Sequence, residues 1–293
     1  MRFYSIIVFT ALLVACTGQA WNDPYRSGEA RKPVFFSSFS ERPKHLDPAR
    51  SYSSNEWSFI SQIYEPPLQY HFLRRPYSLV PLTAESMPQI NYYAADGSRL
   101  SEDAPAADVA YTDYVLRIRP GILYQPHPAL AKKADGSPVY WPLDPALVSE
   151  VNSLSGFHET GTRELVAADY IYQIKRLAFA PNHSPIASLM AEHIRGFADF
   201  SKRASAAHEK LEIEAADPPW LDLRTLRMDG VEGLDRYSYR IRIDKKYPQF
   251  IFWLAMNFFA PMPWEAERFY QQPGLNDRYI SLHWYPVGTG TFM

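Results

Sequence analysis

The chain has 293 residues, 46% of them hydrophobic and 21% charged, so it is long enough for one large domain or two and apolar enough to bury a core, which excludes a disordered protein. A net charge of −2 offers no basic surface to a phosphate backbone, and nucleic acid is not an expected partner. One cysteine rules out an intramolecular disulfide, while 20 Tyr and 7 Trp are a surplus that suits either a recess lined with amphipathic rings or a tyrosine-rich β surface.

Arg2 and the apolar run from Phe3 to Ala15 read as a signal-peptide core, too short for a membrane span of ~20 residues, and predict export. Leu13-Val14-Ala15-Cys16 has the form of a bacterial lipobox, in which Cys16 is lipidated and becomes the first mature residue. The alternative is cleavage after Gly18-Gln19-Ala20, which leaves a soluble periplasmic protein. Residues 1–16 are thus read as a lipoprotein signal peptide and 17–33, polar and without period, as a tether. Val34, Phe35 and Phe36 predict a short buried strand.

Asp47-Pro48 favours a turn, Ser53 and Glu56 have capping-box spacing, and Trp57, Ile60, Ile63 and Tyr64 recur at helical intervals until Pro66-Pro67 stops the helix. Residues 79–90 fit a loop and a short strand, and Asn91 to Tyr111, with Asp96-Gly97-Ser98, a surface hairpin or loop. Tyr114, Leu116 and Ile118 alternate with Val115, Arg117 and Arg119, a half-buried strand that Pro120-Gly121 turns toward Ile122 and Tyr124. Val166 to Leu177 reads as a helix with Tyr170, Ile174 and Leu177 on one face and with Lys175 and Arg176 placed to suit its C-terminal dipole. Val166 at its start predicts a weak cap. Ser184-Pro185 opens another helix, with Ile186, Leu189, Met190, Ile194 and Phe197 at helical spacing. Glu209, Lys210, Glu212 and Glu214 form a solvated charged run. Tyr237, Tyr239, Ile241 and Ile243 alternate with charged residues as a second half-buried strand, and the apolar run Pro248 to Phe259 predicts a buried helix followed by an extended crossover through Pro261 and Pro263.

In this order, HLDPARSYSSNEWSFISQIYEPPLQY (45–70), LVPLTAESMPQI (79–90), YVLRIRPGILY (114–124), VAADYIYQIKRL (166–177), SPIASLMAEHIRG (184–196) and YPVGTG (285–290) resemble the successive motifs of bacterial family 5 extracellular solute-binding proteins, the oligopeptide- and dipeptide-binding components of ABC importers. The resemblance covers nearly all of 34–292. It departs at Val166, where the family has a capping Thr, and at 125–163, which reads as an insertion with a turn at Ala134-Asp135-Gly136-Ser137.

What the resemblance implies is a class II periplasmic binding protein-like α/β fold, a mixed-sheet lobe with an appended α+β subdomain. Residues 34–63 and 264–293 would form the incomplete first-lobe core and 64–263 the subdomain. The family continues into a second lobe after its crossover motif, so the resemblance implies a chain whose second lobe is missing and whose own affinity is weak. It further implies capture of an oligopeptide or similar solute through its main chain, delivery to an inner-membrane ABC permease complex, a monomeric state, a lipid anchor and a periplasmic location. Tyr52, Ser53, Ser54 and Asn55 occupy the family's ligand-contacting loop, and Ile186, Met256 and Asn257 its cleft-facing positions. For Ser53 a pure helix cap, and for the last three core packing, are the competing readings.

No catalytic motif is present: G-x-S-x-G, a Walker sequence and H-E-x-x-H are absent, and Gly288-Thr289-Gly290 lacks the context of a dinucleotide site. No cofactor and no metal are expected, and the chain is read as a binding protein, not an enzyme. Two readings from other classes remain, an envelope lipoprotein that binds glycan or peptidoglycan through exposed aromatics, and a hydrolase built from dispersed acids and histidines.

Overall fold

The computed structural model describes residues 38, 39, 41–214 and 220–292, and all but the first two belong to the second of two compact units, 41–293. Cys16, the apolar run before it, the tether and the strand expected at Val34 to Phe36 lie outside the described residues. The architecture of the second unit is mixed α/β. Its first helix, α1 (Ser54–Ile63), leads into a hairpin of β1 (Leu68–Tyr70) and β2 (Leu79–Pro81). The main sheet holds β3 (Gln89–Tyr93), β4 (Arg99–Leu100), β5 (Tyr111–Arg117), β6 (Val231–Gly233) and β7 (Ser238–Asp244), all neighbours antiparallel, in the order β4-β3-β5-β7-β6.

Period-two alternation sets the faces of this sheet. Tyr114 pairs with Ile241 and Leu116 with Tyr239, so these residues and Ile243 share the buried face. The opposite face places Asp113 under Arg242, whose Nε and Nη2 donate to its two carboxylate oxygens at 2.6 and 2.8 Å. Gly97, at φ 84°, makes the turn between β3 and β4. After the turn at Pro120-Gly121 the chain does not fold back along β5. Both edges of β5 are already taken by β3 and β7, and Ile122 to Tyr124 bond instead to the 163–165 segment, Tyr124 N–H to Arg163 O and Leu165 N–H to Ile122 O. His127 and Gly161 exchange two backbone hydrogen bonds, 2.8 and 3.1 Å, and close the neck of the stretch read as an insertion. Within that stretch α2 (Pro145–Glu150) is capped by Asp144, which accepts from Ala146 N–H.

Helix α3 (Ala167–Ala178) lies on the sheet, with the Tyr170 ring stacked on Tyr239 at 5.3 Å. Val166 has no side-chain acceptor for the first-turn N–H groups; Asp169 makes the other half of a capping box, accepting from the Val166 N–H at 3.1 Å. The dipole role expected for Lys175 and Arg176 is corrected. Both are buried, because the helix is covered on nearly every side. Arg176, 1% exposed, donates from Nη1 and Nη2 to Asp47 at 3.0 and 2.8 Å, from Nε to Glu267 at 2.8 Å and from Nη1 to the Gln173 side chain at 2.9 Å.

The helix expected from Ser184-Pro185 starts later and breaks into α4 (Ala187–His193) and α5 (Phe197–Glu214), because Gly196 between them turns left-handed at φ 72°. The apolar run 248–259 is not one helix. It forms α6 (Phe250–Trp253) and a 3-10 turn, Asn257–Phe259, and its carbonyls are taken from outside: Leu254 O by Leu68 N–H and Phe258 O by Gln173 Nε2. Helix α7 (Trp264–Tyr270) follows the proline segment and brings Glu267 to Arg176. The chain then returns to α1, where Gly290 N–H donates to Ile63 O at 2.9 Å. A Cβ on Gly288 would fall 1.9 Å from Ile63 O, so only glycine permits this approach.

His127 is buried at the base of this return. Its Nδ1 accepts from Ala129 N–H, so the ring proton sits on Nε2 and is donated to Tyr270 OH at 2.7 Å, which donates to Tyr285 O at 2.7 Å. Burial lowers its pKa from 6.5 to about 3. A depressed histidine contributes stability in full above its unfolded value and loses it as the pH falls toward the folded one. We therefore expect chemical denaturation to show about 3 kcal/mol lost through this group between pH 7 and pH 4, with a flatter profile in His127→Asn. Arg176→Met, which strands two buried carboxylates, should cost about 3–5 kcal/mol in the same measurement at pH 7.

Candidate functional site

The segment before α1 is shaped by two carboxylates. Asp47 receives Arg176 on both oxygens and Ala49 N–H on Oδ1, while its carbonyl accepts the Arg50 and Ser51 N–H groups in a tight turn. Burial opposes the ionised form of Asp47, but the Arg176 guanidinium outweighs it and the pKa lies below the usual carboxylate value. Glu56, one turn into α1 and buried, gathers five donors: the Lys44 and His45 N–H groups on Oε1, both at 2.9 Å, and Ser51 Oγ, Tyr52 N–H and Ser53 N–H on Oε2. Burial by itself would raise its pKa; these hydrogen bonds reverse that and hold it at about 2. The capping-box spacing of Ser53 and Glu56 thus marks a larger device, one carboxylate that fixes the course of residues 44–53.

Against this segment stands the turn at Met256 to Phe258, tied to α3 by Gln173 Nε2 donating to Phe258 O at 3.0 Å. Between the two is a recess of about 350 Å³. One wall is Pro48, Ser51, Tyr52 and Ser53; the other is Met256, Asn257 and Phe258, with Trp57 and Ile60 contributed by α1. The rings of Tyr52 and Phe258 lie 6.3 Å apart, and both Tyr52 and Trp57 are exposed. Asn257 is 3% exposed, and its Nδ2 has no hydrogen-bond partner within the protein. A buried amide donor without an acceptor is costly, of the order of 1–3 kcal/mol, and this one lines an open recess. The lining holds no charged side chain and no imidazole; it combines apolar contact with the hydroxyls of Ser51, Tyr52 and Ser53, the Trp57 indole and the Asn257 amide, and suits an apolar group carrying a carbonyl or other acceptor.

Of the residues singled out in the sequence, Tyr52, Ser53, Met256 and Asn257 converge on this recess. Ser54 and Asn55 do not line it; they form the first turn of α1, where Asn55 Nδ2 donates to Glu41 O at 3.2 Å. Ile186 is 3% exposed, packed in the core ahead of α4, and is not part of the recess. Trp57, placed by its helical spacing with Ile60 and Ile63, is exposed on the rim, while its neighbour Glu56 is buried. The sequence reading missed Gln173 and Arg176. The signal was a glutamine set three and four residues from Tyr170 and Leu177, inside the apolar stripe. A larger recess, about 840 Å³, lies between α2 and the 273–279 turn. None of the selected residues lines it, and its cation, Arg278, is already bonded to Val151 O and Asn152 Oδ1. Among the described residues no cluster of three or more potential metal ligands occurs, and no helix is long and apolar enough to cross a membrane.

No family model matches the chain, and no curated protein does. Among solved structures the chain is similar to the ABC transporter-associated periplasmic binding protein DppA from Helicobacter pylori in complex with a peptide, with a TM-score of 0.46 and 15% identity over 85% of this chain and 34% of that one. It is similar also to the Escherichia coli murein tripeptide binding protein MppA, with a TM-score of 0.47 and 18% identity over 87% and 34%. The Haemophilus influenzae OppA complex gives 0.44 and 16% over 85% and 33%. The chain spans about a third of the length of each of these structures.

Glu56→Gln places an amide nitrogen against N–H donors and should destabilise the protein by about 2 kcal/mol at pH 7, measured by urea denaturation. A carboxylate with a depressed folded pKa stabilises above its unfolded value, so the difference between wild type and variant should shrink as the pH falls from 4.5 toward 2.

Proposed function

We propose that this chain is an extracytoplasmic solute-binding protein of the oligopeptide-binding type, and that the recess beside α1 contacts a peptide or similar small solute. The observation that carries this reading is the unpartnered Asn257 amide, buried in a recess whose walls are otherwise aromatic, aliphatic or hydroxylic. A peptide offers the two things such a site lacks, a carbonyl acceptor for Asn257 Nδ2 and an apolar side chain to lie between Tyr52, Trp57 and Met256. Delivery to an inner-membrane ABC permease, a lipid anchor at Cys16 and a monomeric state belong to the same proposal; they rest on the ordered sequence motifs and on the signal-like N-terminal run.

Titration of the chain with a library of short peptides, followed by NMR of the Trp57 indole and the Asn257 side-chain amide, tests this reading. Binding should be weak, since an open recess of about 350 Å³ leaves most of a peptide solvated, and peptides with bulky apolar residues should bind best. Asn257→Leu should weaken binding about tenfold while leaving the melting temperature unchanged or higher, because it removes an amide that has no partner in the free protein. Absence of any peptide that perturbs these signals, or a variant that binds as well as the wild type, would count against the proposal.

A further inference from the structure

The tip of the β1–β2 hairpin carries chemistry that the recess does not use. His71 N–H donates to Ser78 O at 2.8 Å and closes the loop, and His71 Nδ1 accepts the Leu73 and Arg74 N–H groups, both at 3.2 Å. The tip is therefore an ordered structure with its own internal bonds. It projects its largest apolar side chains into solvent: Phe72 is 88% exposed, Leu73 77% and Tyr77 68%. The hydrophobic effect disfavours such a cluster unless something covers it. Arg74 and Arg75 stand among these groups, both exposed, and Arg75 lies over the Tyr77 ring at 4.3 Å. Among the described residues neither arginine makes an ion pair. Residues 66–84 contain no Asp or Glu, although the whole chain has a net charge of −2.

We propose that this tip docks on an anionic lipid surface, Phe72, Leu73 and Tyr77 entering the interfacial layer and Arg74 and Arg75 meeting lipid phosphates. Charge complementarity selects this occupant. Aromatic rings partition into the headgroup region, and guanidiniums pair with phosphate while their apolar stems stay among the acyl chains. A protein groove offers acids or apolar walls, whereas an anionic bilayer offers both layers at once to a projecting loop. The area is small, so the contact is reversible and orients the molecule; it does not anchor it. It stands independently of what occupies the recess.

The test uses the full chain carrying Cys16→Ser and Leu73→Cys, labelled at position 73 with a polarity-sensitive fluorophore, so that the signal reports the tip and not the N-terminal segment. Vesicles of phosphatidylcholine alone and of phosphatidylcholine with phosphatidylglycerol are the probes. A blue shift on the anionic vesicles that disappears at high salt is expected, and Arg74→Gln with Arg75→Gln should weaken it about 25-fold, from about 1 kcal/mol, or fivefold, per arginine. Leu73, Arg74 and Arg75 are exposed, so unchanged melting temperatures should accompany the loss. No shift on anionic vesicles, an equal shift on neutral ones, or an affinity indifferent to the arginines would overturn the proposal.

Discussion

Two side chains one turn apart on α3, Gln173 and Arg176, hold both walls of the recess. Arg176 grips Asp47 and so the turn that leads into Tyr52 and Ser53, while Gln173 donates to Phe258 O and so fixes the turn that presents Met256 and Asn257. The two are bonded to each other, Arg176 Nη1 to Gln173 Oε1, and the second arm of the guanidinium reaches Glu267 on α7. A fully buried arginine is tolerated only because its donors meet acceptors of opposite charge with good geometry. The site walls come from segments some 200 residues apart in sequence, so this polar knot, and not local chain connectivity, sets the spacing across the recess.

The knot also explains where the molecule is rich in hydrogen bonds and where it is short of them. Glu56 gathers five donors and Asp47 is satisfied on every side, so the segment that forms one wall has little freedom. Across the recess Asn257 keeps an amide that the fold leaves unpaired. Most destabilising features of this kind are removed from stable folds, and an unpaired buried polar group on a residue that lines a recess is the pattern expected where binding is favoured at the expense of stability. His127 follows the opposite logic: a neutral ring with both nitrogens used, sealed behind Tyr270, which ties acid sensitivity to the return of the chain against α1.

Much of this was legible in the sequence. Alternation in 114–118 and 237–243 placed the faces of β5 and β7 correctly because one face is core and the other carries charge, the case in which register is most strongly specified. The spacing of Ser53 and Glu56 located the start of α1. Helix limits around 184–197 and 248–259 were not legible, since a left-handed Gly196 and carbonyls captured by Leu68 and Gln173 are tertiary events that no local period records. The same limit applied at the site. Tyr52, Ser53, Met256 and Asn257 were singled out only through a resemblance, while Gln173 and Arg176 act through partners far away in the chain, and a basic residue near a helix end reads as a dipole partner until Asp47 and Glu267 are seen beside it.

The short segment 250–258 joins the two surfaces for which roles are argued. Leu68 N–H bonds to Leu254 O, and the Tyr70 ring lies parallel to Phe252 at 6.4 Å, so the strand that supports the arginine-bearing tip is zipped to the segment that ends in Met256, Asn257 and Phe258. Phe250 and Leu254 from the same segment are fully buried and Gln173 holds its far end, which leaves it little room to move without disturbing the core. A tip that rests on a lipid surface would therefore set the orientation of the recess as well, because the two are attached to one rigid piece of chain and not joined through a flexible loop. That coupling is mechanical: it needs no second conformation, only that β1 and the 250–258 segment keep their register.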